Sequence, residues 1–158
     1  MHNRREMLFH SAKVAALLAA AGLLPGFPGL ALAQASGYNA AAFDAKNMAD
    51  LMKALGAAAP VLSKDVTVTG PDIAENGAVV PIGAATTLAG VKHLLILVEK
   101  NPSMLSAMFD VTEAVEPNIS TRVKMGQSSN VYAVALTNDG KALFAQKEIK
   151  VTLGGCGG

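Results

Sequence analysis

Cys156 is the single cysteine of the chain, and it stands in Gly154-Gly155-Cys156-Gly157-Gly158. A thiol is a nucleophile and a covalent attachment point. Glycines on both sides have nothing to bury, and they lose more conformational entropy on ordering than any other residue. The stretch 154–158 is therefore expected to project as a flexible arm. Three residues beyond Leu153 give the thiol a reach of roughly 10 Å, at about 3.3–3.6 Å per residue. A reactive atom on a short, side-chain-free tether suits a group that is loaded and unloaded by other proteins. No helix, cation cluster or metal-ligand set adjoins Cys156 in sequence, so nothing local activates it. Activation is expected from whichever pocket receives the arm, and slow reaction with alkylating agents is expected of the chain alone.

No second chemical constellation competes with it. The three histidines are His2, His10 and His93. The first two fall in a leader, and His93 lies among aliphatic residues, where a structural role is expected. Zinc and copper sites need several convergent ligands. Asp72, Glu75 and Glu99 have no spacing that pairs them, and the clustered glycines precede no helix that could cradle a phosphate. Neither a self-sufficient catalytic site, a metal site nor a resident cofactor is expected.

The leader is read from residues 1–33. Arg4-Arg5 precede an apolar run over 14–24, and small residues follow at Ala31-Leu32-Ala33 and Ala33-Gln34-Ala35. A charged start, an apolar middle and an A-x-A site describe a secretory signal peptide. The run is shorter than the roughly 20 residues a spanning helix needs, and Pro25 and Pro28 end it. The paired arginines point to the twin-arginine route, and hence to the periplasm. In an oxidising compartment one cysteine cannot form an intramolecular disulfide, and an exposed thiol there needs a use. A formal net charge of +1, with no Lys/Arg cluster, excludes a nucleic-acid footprint. No apolar run after the leader is long enough to span a membrane.

Residues 34–60 are expected to hold a short N-terminal helix and a linker. Phe43, Met48, Leu51, Met52 and Leu55 recur at helical spacing over 39–55; Gly56 then marks a C-terminus and Pro60 a stop. From 61 to 153 the period is two. Strands are expected over 65–69, 78–83, 91–99, 104–111, 119–125, 130–137 and 141–153. The turns between them include Gly70-Pro71-Asp72, Asn76-Gly77, Asn101-Pro102 and Asn138-Asp139-Gly140. The 91–99 segment is the most apolar and the expected central strand; Pro81 argues for an edge or a bulge. Short strands at regular intervals, with no long helix between them, predict an all-β sandwich. Its last strand runs straight into the arm.

The ending Lys150-Val151-Thr152-Leu153-Gly154-Gly155-Cys156-Gly157-Gly158 resembles the swinging arm of the SoxY family, the sulfur-carrier subunits of the periplasmic Sox thiosulfate-oxidising system. The likeness continues through residues 71–77, Val80-Pro81, 98–102 and 120–126. It implies an immunoglobulin-like sandwich that forms a heterodimer with a second sandwich subunit, SoxZ. It also implies covalent sulfur attachment at Cys156, with Gly154, Gly155, Gly157 and Gly158 as the arm. A c-type cytochrome complex, a manganese-dependent hydrolase that releases sulfate, and a sulfane dehydrogenase are the implied partners. Two other readings of the ending exist. Ubiquitin-like sulfur carriers also end in Gly-Gly, but they need ATP-driven adenylation, which an exported protein lacks. Alternatively, Cys156 crosslinks two copies of an exported structural domain through an intermolecular disulfide.

Overall fold

A computed structural model of the chain describes residues 39–153. The leader over 1–33 and the arm over 154–158 lie outside them. Two short helices come first, α1 (Ala40–Asp44) and α2 (Met48–Ala54). Nine strands follow: β1 (Val61–Leu62), β2 (Val66–Thr69), β3 (Ile73–Ala74), β4 (Val80–Thr86), β5 (Val91–Val98), β6 (Leu105–Asp110), β7 (Asn118–Val123), β8 (Ser129–Thr137) and β9 (Ala142–Val151). One sheet has the order β1-β9-β8-β5-β6, with β3 also on β9; the other has the order β2-β4-β7. The fold is the β-sandwich with a short N-terminal helical segment that the residue pattern predicts.

The alternation of β8 shows how the layers are built. Val131, Ala133 and Ala135 point between the sheets, where they pack with Val80, Ile82 and Ala84 of β4, Leu94, Ile96 and Val98 of β5, and Ile149 of β9. Val134 and Leu136 point the other way, with Leu95 and Leu97 of β5, onto Ala42, Leu51 and Met52 of the helices. The larger sheet is thus buried on both faces at β5 and β8. That is why β5 reads as a nearly unbroken apolar run.

Residues 39–55 make two helices where the spacing predicts one. Ala45 is extended (φ −61°, ψ 133°), and the Asn47 side chain restarts the helix by accepting from the Asp50 N–H at 2.9 Å. The break serves tertiary bonding: the Ala45 carbonyl accepts from the Met104 N–H, and Lys46 Nζ donates to the Pro102 carbonyl at 2.6 Å. Gly56 closes α2 as expected. It has φ 65°, its N–H donates to the Lys53 carbonyl, and the Ala57 N–H donates to the Met52 carbonyl. These two bonds make a Schellman cap.

Three further expectations change in detail. Pro81 lies on β4, the middle strand of its sheet, rather than on an edge strand. β2 pairs only with Gly83–Thr86, so at Pro81 the side of β4 away from β7 has no ladder for a missing N–H to break. β4 also runs on to Thr86, past the 83 limit predicted. Its Gly83-Ala84-Ala85 run lacks the branched residues that signal a strand, and a Cβ at Gly83 would collide with the Thr69 hydroxyl. β9 stops at Val151, two residues early, where its last partner, Ala74 at the end of β3, stands opposite; β8 pairing has already stopped at Ile149.

The two-faced burial predicts a large cavity cost. Leu97 is fully buried against the helix layer. Leu97→Ala should lower unfolding free energy by about 2–5 kcal/mol, read as a shifted urea midpoint at an unchanged slope.

Candidate functional site

The last residues of β9 are held from the side by a segment some 75 positions earlier. β3 lies parallel to β9, with Ile73 opposite Lys150 and Ala74 opposite Val151. The Lys150 N–H donates to the Asp72 carbonyl at 3.0 Å and the Thr152 N–H to the Ala74 carbonyl at 3.1 Å. The Thr152 hydroxyl donates to the Glu75 carbonyl at 3.1 Å, and the Val151 N–H donates to Ser128 Oγ at 2.9 Å. Gly77 is the hub. Its N–H donates to the Leu153 carbonyl at 2.7 Å, and its own carbonyl accepts from the Met125 N–H at 2.7 Å. Asn76 shapes the turn by accepting from the Ala78 N–H at 2.8 Å. The backbone is therefore pinned through Leu153, the residue from which 154–158 departs.

Charge reinforces the pin. Lys147 Nζ lies 2.8 Å from Asp72 Oδ1. The hydrogen bond from Lys147, and then its charge, hold the Asp72 carboxyl below the usual carboxylate value. A carboxylate with a depressed pKa stabilises the fold above that value, and its contribution is lost as pH falls.

The other residues singled out in the sequence do not converge. Asp72 faces Lys147, and Glu75 contributes its backbone carbonyl to the clamp. Glu99 lies in a groove of roughly 650 Å³ lined in part by Lys46, Met48, Met104, Tyr132 and Phe144. There it accepts from Asn130 Nδ2 at 2.8 Å and from the Tyr132 hydroxyl at 3.3 Å. Desolvation, and then the Glu99 charge, push the Tyr132 hydroxyl pKa up. His93 Nδ1 sits 2.8 Å from Asp110 Oδ1 across β5 and β6, within ion-pair distance but without hydrogen-bond alignment. Among the described residues no three His, Cys, Asp or Glu side chains gather as metal ligands, and no helix is long and apolar enough to cross a membrane. Cys156, Gly154, Gly155, Gly157 and Gly158 lie outside the described residues. No clamp role was read from the sequence for Thr152, Ser128 or Gly77, although Thr152 and Gly77 fall in the stretches that carry the family likeness and Asn76-Gly77 gave a turn signal.

The described residues form a small β-sandwich whose last strand is pinned as far as Leu153. The model of the family "Sulfur oxidation protein SoxY" matches residues 51–156, a span that includes Cys156. The chain belongs to the SoxY family of sulfur oxidation proteins. Among solved structures it is similar to the sulfur carrier protein SoxY from Chlorobium limicola f thiosulfatophilum, at 35% identity and a TM-score of 0.54, covering 60% of this chain and 84% of that one. A superoxide reductase (neelaredoxin) from Ignicoccus hospitalis is 18% identical, with a TM-score of 0.47 over 54% of this chain and 79% of its own; no inference is drawn from it. The search of curated proteins gave no match.

Two measurements check the clamp. Thr152→Val should speed amide exchange at Thr152 and Gly77 by about fivefold, the effect of losing one bond worth about 1 kcal/mol, while Thr152→Ser restores protection. Asp72→Asn should be less stable than the parent well above pH 3.8, and the difference should vanish as pH falls below that value. A gap that persisted in acid would contradict the pairing.

Proposed function

We infer that this SoxY-family chain is a non-catalytic, periplasmic sulfur carrier that holds thiosulfate-derived sulfur on Cys156. The observation that carries this reading is the boundary at Leu153. Backbone bonding extends to that residue, and the sequence then turns at once to two glycines, the one thiol and two more glycines. A load at Cys156 is thereby delivered from a fixed point. Glycine neighbours leave φ and ψ free and add no bulk in a narrow pocket.

Loading is a two-electron oxidation. The thiol sulfur bonds to the outer sulfur of thiosulfate, giving Cys–S–S–SO₃⁻; one proton leaves the thiol, and both electrons pass to a c-type cytochrome partner. Hydrolysis by a manganese-dependent enzyme then releases sulfate and leaves a perthiol. A sulfane dehydrogenase oxidises the sulfur that remains. The chain supplies the attachment atom and its placement, and the partners supply redox and hydrolytic chemistry. The reading includes a heterodimer with a SoxZ-like sandwich subunit, and export through the twin-arginine route.

Intact mass spectrometry of protein purified without reductant tests the attachment. Added masses in sulfur or thiosulfate units on the peptide containing Cys156 are expected; a disulfide-linked dimer alone would favour the crosslinked structural domain. Cys156→Ser should abolish thiosulfate oxidation by the reconstituted system, with stability changed by less than about 0.5 kcal/mol.

A further inference from the structure

Three large apolar side chains are exposed around the point where the arm departs. Ile73 is 56% exposed, Val79 54% and Leu153 64%. Six described residues are large, apolar and exposed, and these three lie on the segments bonded at the end of β9 or next to them. Each belongs to the clamp or adjoins it: Ile73 is paired with Lys150, Leu153 is bonded to Gly77, and Val79 follows the Asn76-Gly77 turn. Parallel pairing and the hydroxyl bond of Thr152 tie the 73–75 segment, with Ile73, to the end of β9. Burying the three side chains stabilises no part of the chain itself. Exposed apolar residues that cluster mark a contact site, whereas scattered ones need no explanation.

Reach decides what makes the contact. Cys156 lies three residues past Leu153, so its sulfur stays within roughly 10 Å of that residue. Any pocket that takes the thiol must bring its mouth within the same distance. The mouth then has to meet the segments bonded around Leu153, whose exposed large apolar residues are Ile73 and Val79.

We propose that Ile73, Val79 and Leu153 form a docking collar on which an enzyme that receives Cys156 seats an apolar rim around the mouth of its pocket. The inference rests on the carrier reading and names the surface that reading needs. The nearby charges do not favour a charged partner. Asp72 is neutralised by Lys147, while exposed Glu75 and Lys150 are of opposite sign. The collar therefore contributes apolar contact and little net charge. Its contacts form before and during reaction alike, so it sets KM and not kcat.

The test uses the full chain with purified thiosulfate-oxidising partner enzymes. Ile73→Ser, Val79→Ser and the double variant are compared with Val115→Ser, an apolar residue 44% exposed outside the clamp. The double variant should raise KM for carrier about tenfold or more at unchanged kcat, while its thiol reacts with a small maleimide as the parent does. Val115→Ser should behave as the parent in both. A second arm measures calorimetric binding of Cys156→Ser chains to the same enzymes. That chain should bind, and adding Ile73→Ser and Val79→Ser should weaken binding by a similar factor. If Cys156→Ser leaves turnover intact, the carrier reading fails, while the binding arm still reads the collar. Equal KM and equal binding for parent and double variant overturn the collar, as does absence of binding by both chains. A parent dimer that the double variant dissolves, with enzyme binding unchanged, also overturns it and assigns the patch to a second copy.

Discussion

Burial of one sheet on two faces is the constraint from which the rest follows. β5 and β8 give one set of side chains to the space between the sheets and the opposite set to the helices, so neither strand can slip by a residue without exposing both layers. That fixes β8, and β8 fixes β9 through eight paired positions from Ser129 to Leu136. β9 has no comparable neighbour on its outer side, where β1 pairs with it at Leu143–Phe144 and β3 at Lys150–Val151. A long strand with a free middle and two short tethers is held by its inner partner and aimed by its tethers. The outer tether at β3 decides where the chain leaves the sandwich.

The clamp turns the sheet's rigidity into placement at Leu153. A tethered group acts at an effective concentration set by tether length, which falls steeply as the tether grows and reaches nothing when it is too short. Releasing Thr152 and Leu153 would add two residues to the free length and enlarge the volume the thiol explores. On the carrier reading, the clamp sets the tether to Cys156 at three residues, and it does so mainly with backbone groups. Asp72, Ala74, Glu75 and Gly77 all engage the end of the chain's described part through main-chain atoms, and only Asp72 adds a side chain, to Lys147.

That backbone character explains which features could be read from the amino-acid order. β5 and β8 were legible because their side chains alternate between apolar environments, and the β8–β9 turn because Asn138-Asp139-Gly140 carries its own geometry, with Gly140 at φ 81°. The clamp was not. Thr152 and Glu75 are 77 positions apart, and a carbonyl acceptor is the same atom in every residue, so no composition signal marks it. The division of 39–55 into two helices was hidden for a related reason: the apolar spacing continues across Ala45–Asn47, while the break is set by Met104 and Pro102 far downstream. Pro81 misled because its restriction is local to one side of the strand, and which side lacked a partner depended on where β2 ended.

An apolar collar also fits the variety of loads. On the carrier reading, Cys156 bears in turn a neutral thiol, a thiosulfate adduct with a sulfonate, and a perthiol that ionises more readily than a thiol. A docking surface that worked by charge would feel each of these as attraction or repulsion across about 10 Å, near the screening length of ordinary salt. It would then favour one loaded state over the others before any pocket was reached. Aliphatic contact is indifferent to that charge, because it depends on area removed from water. Ile73, Val79 and Leu153 would then bind an enzyme equally well whatever hung from the thiol. The choice among loads falls to the interior of each pocket, where donors and metal ions meet the sulfur group itself. Shared docking with separate discrimination is what one carrier needs in order to serve several enzymes in turn.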